Sequence, residues 1–93
     1  LSYQPSSNMA KIDNTSLTVS IQSLQRTIQF YEFLGQSETV NEEDYEESIA
    51  MFELALSRLC EAYRIEEEDG RISTPLKTYL RAPYDVYAEE PNQ

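Results

Sequence analysis

Apolar residues recur with helical spacing along residues 41–69, the longest uninterrupted helical pattern in the chain. Six of them fall on one narrow stripe of a helix: Tyr45, Ile49, Phe52, Leu56, Leu59 and Tyr63. Asn41 is a favourable N-cap, and Gly70 supplies the left-handed residue with which many helices end. The pattern therefore predicts a helix over about 42–69 with one face towards a core.

A second helical pattern precedes it and predicts a helix over 14–34, beginning at Asn14 or Thr15 and ending before Gly35. Its stripe consists of Leu17, Ile21, Leu24, Ile28 and Tyr31. Because the intervening loop is short and polar, the two helices are expected to pair as an antiparallel hairpin with facing stripes.

A short third helix is predicted over 75–82. Thr74 is suited to the N-cap, Pro75 to the first helical position, and Pro83 disfavours helical geometry at Ala82. The predicted fold is all-α, a small up-and-down bundle of two long helices and one short one. The single helical domain would span 14–87, between a flexible leader (1–13) and a disordered tail (88–93). The segment before Met9 is either an addition to the natural start or an arm that docks through Tyr3.

Several apolar residues lie off the two stripes, and two helices cannot cover them all. They are Val19, Phe30, Phe33 and Leu34 on the first helix, and Met51, Leu54, Ala55, Ala62 and Ile65 on the second. The residues predicted to form a subunit or partner interface are Phe30, Phe33, Leu34, Met51, Leu54 and Ile65. The alternative is that Tyr84, Val86 and Tyr87 fold back over this surface. The interface interpretation predicts a homodimer.

Charge narrows the range of partners. The 93 residues include 7 basic and 17 acidic ones, a net charge of −10, which disfavours a nucleic-acid backbone and favours a protein with a basic surface. No apolar run has the length of a membrane span, so no membrane association is expected. The single cysteine cannot form an internal disulfide, and a cytoplasmic location is the expectation.

Residues suited to catalysis are scarce. The chain has no histidine, which removes histidine-based acid–base chemistry, and its two glycines cannot build a phosphate-binding loop. Cys60 is interpreted as an inert buried thiol, and Tyr31, Tyr45 and Tyr63 as core or interface residues. A non-enzymatic protein without cofactor or metal is therefore expected.

Two acidic clusters flank the second long helix. The residues considered for binding a basic partner are Glu42, Glu43, Glu46 and Glu47 at its start, and Glu66, Glu67, Glu68 and Asp69 at its end. The first cluster matches the helix dipole and is equally typical of a solvated face, a reading favoured over a Mg²⁺ or Ca²⁺ site. The second opposes the dipole, and it either awaits a basic partner or is partly neutralised by Arg71.

Two short motifs indicate a family resemblance. They are the run Phe52-Glu53-Leu54-Ala55 on a central helix and, further along the chain, Ser73-Thr74-Pro75 followed by Arg81. This layout resembles the small helical substrate-binding partners of minimal nucleotidyltransferases within the HEPN group. The resemblance implies a bundle that dimerises and binds a separate catalytic subunit. The Arg-to-His motif of the nuclease members is absent, so RNase activity is not implied.

Together these observations predict a non-catalytic acidic helical interaction module that self-associates and binds a partner protein, such as a nucleotidyltransferase-type catalytic subunit. The alternative is a small acidic inhibitor of the antitoxin, immunity or anti-defence type, which blocks the basic nucleic-acid-binding groove of its target.

Overall fold

Two antiparallel helices form the body of the protein. The computed structural model describes residues 12–36 and 43–88, with helix α1 at Asn14–Gly35 and helix α2 at Glu43–Glu68. The end of α1 meets the beginning of α2, where the ring of Tyr31 makes edge-on contacts with Tyr45 at 5.5 Å and Phe52 at 5.4 Å between centroids. The predicted hairpin of two long helices is confirmed.

The predicted stripes supply most of the core. Leu17, Ile21 and Ile28 are buried on α1, and Leu56 and Tyr63 on α2. The remaining predicted stripe residues are half-buried. The core is completed by a third element, residues 72–88, which we call the strap. Its buried side chains are Leu76, Leu80 and Tyr84.

Helix α1 begins at Asn14, as predicted, and its N-cap is Asp13. The Asp13 carboxylate accepts a 2.7 Å hydrogen bond from the backbone N–H of Ser16, which satisfies one of the unpaired amides of the first turn. At the other end, Gly35 is still helical and Gln36 is the C-cap, so α1 continues one residue beyond the predicted break. Asn41, the predicted N-cap of α2, lies outside the described residues.

Helix α2 ends in a Schellman motif centred on Gly70. The Gly70 N–H donates to the carbonyl of Glu67 at 3.1 Å, and the Arg71 N–H donates to the carbonyl of Glu66 at 2.9 Å. Gly70 has a φ of +82°, a conformation that side chains with a Cβ rarely adopt. The predicted stop is confirmed, and its cause is this backbone geometry.

Gly70→Ala is expected to lower the free energy of unfolding by about 1 to 2 kcal/mol, the cost of a left-handed conformation for an L-residue. No atom lies within 4 Å of a Cβ added there, so the cost comes from the backbone and not from a clash. Urea denaturation measures it. Gly70→Asn is the matched variant, because asparagine tolerates this region better; an alanine variant as stable as the asparagine one would contradict the explanation.

The predicted helix over 75–82 is wrong. The strap instead contains two 3₁₀ helices, Leu76–Thr78 and Tyr84–Ala88, and Pro75 precedes the first without a side-chain cap. In an α-helix the carbonyl of Tyr79 would accept from the N–H of residue 83, which is a proline and has none. A segment this short also gains too few hydrogen bonds to offset helix nucleation.

Of the predicted leader, residues 1–11 lie outside the described residues, as do residues 89–93 of the predicted tail; Ala88 ends the second 3₁₀ helix. Within residues 12–36 and 43–88, no helix is long and apolar enough to cross a membrane.

Candidate interaction surface

The outward side of α2 carries a stripe of residues opposite its core face. We call it the α2 stripe, and its members are Met51, Leu54, Arg58, Glu61, Ile65 and Glu68. Every one of them is exposed. Its three apolar members were predicted as interface residues, and the structure places them at the surface.

A second apolar surface lies on α1. We call Phe30, Phe33 and Leu34 the α1 patch; the two phenylalanines are exposed and Leu34 is half-buried. Among the five exposed apolar residues predicted as interface, the exposed fraction runs from 48% at Ile65 to 69% at Phe33. These values are high for such large side chains, which makes the two surfaces candidates for an interface.

The strap leaves both surfaces open. Tyr84 is buried in the core, and Tyr87 stacks on it at 6.3 Å between ring centroids, while Val86 remains exposed. Of the tail residues considered as a cover, Tyr84 and Tyr87 therefore pack in or against the core, and the exposed apolar residues of the α2 stripe and α1 patch remain uncovered within the described part of the chain.

The acidic cluster at the start of α2 is accessible. Glu43, Glu46 and Glu47 are exposed, and Glu42 lies outside the described residues. Negative charge in the first turns of a helix is favourable next to its unpaired amides. The structure therefore accounts for the position of these acids without a partner, and it leaves Glu46 and Glu47 open to one.

The acidic cluster at the end of α2 is partly neutralised within the chain. The Arg71 guanidinium donates from Nε to Glu66 Oε1 at 2.7 Å and from Nη2 to Glu66 Oε2 at 3.0 Å, with a further 2.8 Å bond to Asp69. These bonds lower the pKa of Glu66. Two acids of the predicted binding cluster are thus engaged at the Schellman motif, whereas Glu67 and Glu68 line a cleft beside Lys77.

Arg71→Gln is expected to raise the pKa of Glu66 towards its ordinary value of 4.5, because the hydrogen bonds and the charge of Arg71 are the main causes of the lowered pKa. A carboxylate with a lowered folded-state pKa contributes stability above its unfolded-state pKa and loses it as pH falls through the folded one. The wild type should therefore lose this contribution below pH 4.5, and the variant should lack it at neutral pH. Side-chain NMR titration of Glu66 measures the shift, with Lys77→Gln as the control of equal charge. An unchanged Glu66 titration in Arg71→Gln would refute the assignment.

One residue that is central to the structure was not predicted from the sequence. Gln25 on α1 is 3% exposed, and its amide joins α1 to the strap. Its Nε2 donates to the carbonyl of Tyr79 at 2.7 Å, and its Oε1 accepts from the N–H of Arg81 at 2.9 Å. Gln25 therefore supplies the donor that Pro83 cannot.

Beside this junction lies a polar cleft of about 240 Å³. Its lining residues are Gln22, Gln25, Arg26, Gln29, Tyr79 and Arg81. The two arginines are exposed. Arg71 pairs with Glu66, and Lys77 lines a different cleft together with Glu67, so the three basic residues of the segment from 71 to 81 lie at three separate sites.

The side chains with potential reactivity are held in unreactive forms. Burial raises the pKa of the Cys60 thiol to about 11, so the thiolate is scarce at neutral pH. Burial likewise raises the pKa of Tyr63 to about 12, and the Tyr63 hydroxyl donates a 2.5 Å bond to the carbonyl of Thr74. The expected buried thiol and core tyrosine are confirmed. Within the described residues, no group of three or more acidic or cysteine side chains is placed to hold a metal ion.

Comparison of the chain with protein-family models, with characterised proteins and with solved structures gave no match.

Proposed function

We propose that this chain is a non-catalytic acidic interaction module that self-associates and binds a partner protein. The observation that supports the proposal is the large uncovered apolar surface on both helices. A domain of this size has a small core, and several large apolar side chains exposed on the same helix are typical of an interaction site. The α2 stripe and the α1 patch offer two such surfaces.

The charge of the chain separates the two modes of association. Two copies, each with a net charge of −10, repel one another, and added salt screens that repulsion. A partner with a basic surface is attracted by the same charge, and added salt weakens its binding. Salt should therefore strengthen self-association and weaken binding to a basic partner.

Self-association is tested by sedimentation velocity of the wild type over a range of concentrations. A dimer is expected at high micromolar concentration, and Met51→Asp should shift the chain towards monomer because it places a carboxylate in the α2 stripe. Ser23→Asp, which adds the same charge at an exposed polar position of α1, should sediment like the wild type. A wild type that stays monomeric at high micromolar concentration would contradict this part of the proposal.

Partner binding is tested by affinity capture from the native host followed by mass spectrometry. The family resemblance makes a nucleotidyltransferase-type catalytic subunit the first partner to look for, and the α1 patch is the surface proposed to bind it. Phe33→Asp should abolish capture, whereas Ser23→Asp should leave it unchanged. Capture that survives Phe33→Asp would remove the α1 patch from the proposal.

The acidic inhibitor is the second candidate function, favoured by the exposure of Glu46 and Glu47 in the first turns of α2. It predicts capture of a toxin, nuclease or other nucleic-acid-binding protein that is released at high salt. Reversal of Glu46 and Glu47 to lysine should abolish that capture while the helical content remains. Capture that is unchanged by this reversal would exclude the inhibitor reading.

A further inference from the structure

Arg58 is a cation in the middle of the α2 stripe. It is exposed and makes no ion pair within the described residues, although Glu61 follows it by one helical turn. Glu61 instead lies 3.7 Å from Arg64, and its side chain is two-thirds exposed. The apolar residues Leu54 and Ile65 lie on the two sides of this charged pair along the stripe.

The stripe has the spacing of a coiled-coil seam. Its members alternate by three and four residues, which is the spacing of heptad positions a and d. Met51, Arg58 and Ile65 then occupy a, and Leu54, Glu61 and Glu68 occupy d. This seam is separate from the core face of α2, so the helix can use it without unfolding the hairpin.

We propose that the α2 stripe binds the α2 stripe of a second copy in antiparallel orientation, with Arg58 opposite Glu61 of the second copy. The inference rests on the self-association proposed above and specifies its surface, orientation and register. An antiparallel seam places a positions opposite d positions. The register that pairs Arg58 with Glu61 also places Leu54 opposite Ile65, and both pairings occur twice by symmetry.

The remaining positions fit the same register. Met51 falls opposite Glu68 at each end of the seam, where the methylene groups of the glutamate can cover the thioether while its carboxylate stays in water. The seam thus has two central ion pairs, apolar layers on either side of them, and solvated ends.

Charge selects this orientation over the parallel one. A parallel in-register pair would place Arg58 opposite Arg58 and Glu61 opposite Glu61, and like charges facing each other in an interface are strongly unfavourable. In the antiparallel pair the same four side chains form two complementary contacts. Arg58, which is solvated in the monomer and would be costly to bury without a partner, becomes the residue that specifies the register.

Two single charge reversals test the register, because dimerisation should be lost in each variant alone and regained when the two variants are mixed. Arg58→Glu leaves four facing carboxylates in a self-pair, and Glu61→Arg leaves four guanidinium groups, so each variant alone should dimerise about tenfold more weakly or worse. In a heterodimer of the two variants, the new carboxylate at position 58 faces the new guanidinium at position 61, and the native Glu61 of one chain faces the native Arg58 of the other, so both contacts are complementary. Sedimentation velocity should therefore show a heterodimer in the mixture at a concentration where each variant alone is monomeric.

The matched control is Arg26→Glu, which makes the same change of net charge at an exposed position of α1, away from the α2 stripe. It should sediment like the wild type. The doubly altered chain, Arg58→Glu with Glu61→Arg, should regain wild-type dimerisation within about threefold, since it restores both ion pairs with their signs exchanged.

The possible results separate the register from the proposal on which it rests. A dimeric wild type, two monomeric single variants and a mixed heterodimer support the register. A dimeric wild type whose Arg58→Glu variant is also dimeric, or a mixture that stays monomeric, overturns the register and leaves self-association standing. A monomeric wild type overturns both.

Discussion

Gln25→Met is expected to lower the free energy of unfolding by about 2 to 4 kcal/mol, because it removes one side chain and leaves two backbone groups without partners. The carbonyl of Tyr79 and the N–H of Arg81 both depend on the Gln25 amide. Methionine has a similar length and a similar helix propensity, so α1 itself should be little affected. Urea denaturation measures the loss, and faster hydrogen exchange at the Arg81 amide would locate it at the strap.

The control for this substitution is Gln29→Met. Gln29 lies one turn further along α1 and lines the same cleft, but it is exposed and makes no hydrogen bond to the strap. It should change stability by less than about 0.5 kcal/mol. If the two variants unfold at the same urea concentration, the Gln25 amide does not hold the strap.

Leu56→Ala is expected to lower the free energy of unfolding by about 3 kcal/mol, the usual cost of deleting a fully buried leucine side chain together with the cavity that remains. Leu56 is 0% exposed and lies where α1, α2 and the strap converge. Chemical denaturation at low micromolar protein concentration measures the effect without a contribution from self-association.

Leu54→Ala provides the comparison on the same helix. Leu54 is 52% exposed and belongs to the α2 stripe, so its truncation should cost less than about 1 kcal/mol in the monomer. The same variant should weaken dimerisation, because it removes an apolar layer of the proposed seam. Equal destabilisation by Leu54→Ala and Leu56→Ala in the monomer would contradict the assignment of the core face.

The sequence predicted those features that depend on periodicity. A stripe of apolar residues with helical spacing has one face that must be buried, which is why the positions of Ile21, Ile28 and Tyr63 in the core followed from spacing alone. The end of α2 was predictable because Gly70 has a conformational freedom that other residues lack. The exposure of Phe33 and Met51 was predictable because both lie off the core-facing stripes, where the predicted core could not cover them.

The strap was not predictable because its conformation depends on a distant partner. Thr74 and Pro75 resemble a helix start, and local signals favoured a helix that the structure replaces with 3₁₀ turns. The decisive interaction is a side-chain amide on α1. Gln25 lies four residues after Ile21 and three before Ile28, so helical spacing placed it beside the core face, but spacing does not show that its partners are backbone groups of a distant segment. The missing N–H of Pro83 was a second clue.

The link made by Gln25 also orders the folding of the chain. The hairpin brings together two helices that are adjacent in sequence, whereas the Gln25 bonds join residues 54 and 56 positions apart. Closing a longer loop costs more chain entropy, and distant pairings form after local ones have reduced that loop. We therefore expect the hairpin to assemble first and the strap to dock onto it last. When the protein is partly destabilised, the strap should detach before the hairpin opens. Residues 72–88 should then exchange their amide hydrogens as one cooperative unit while α1 and α2 stay paired.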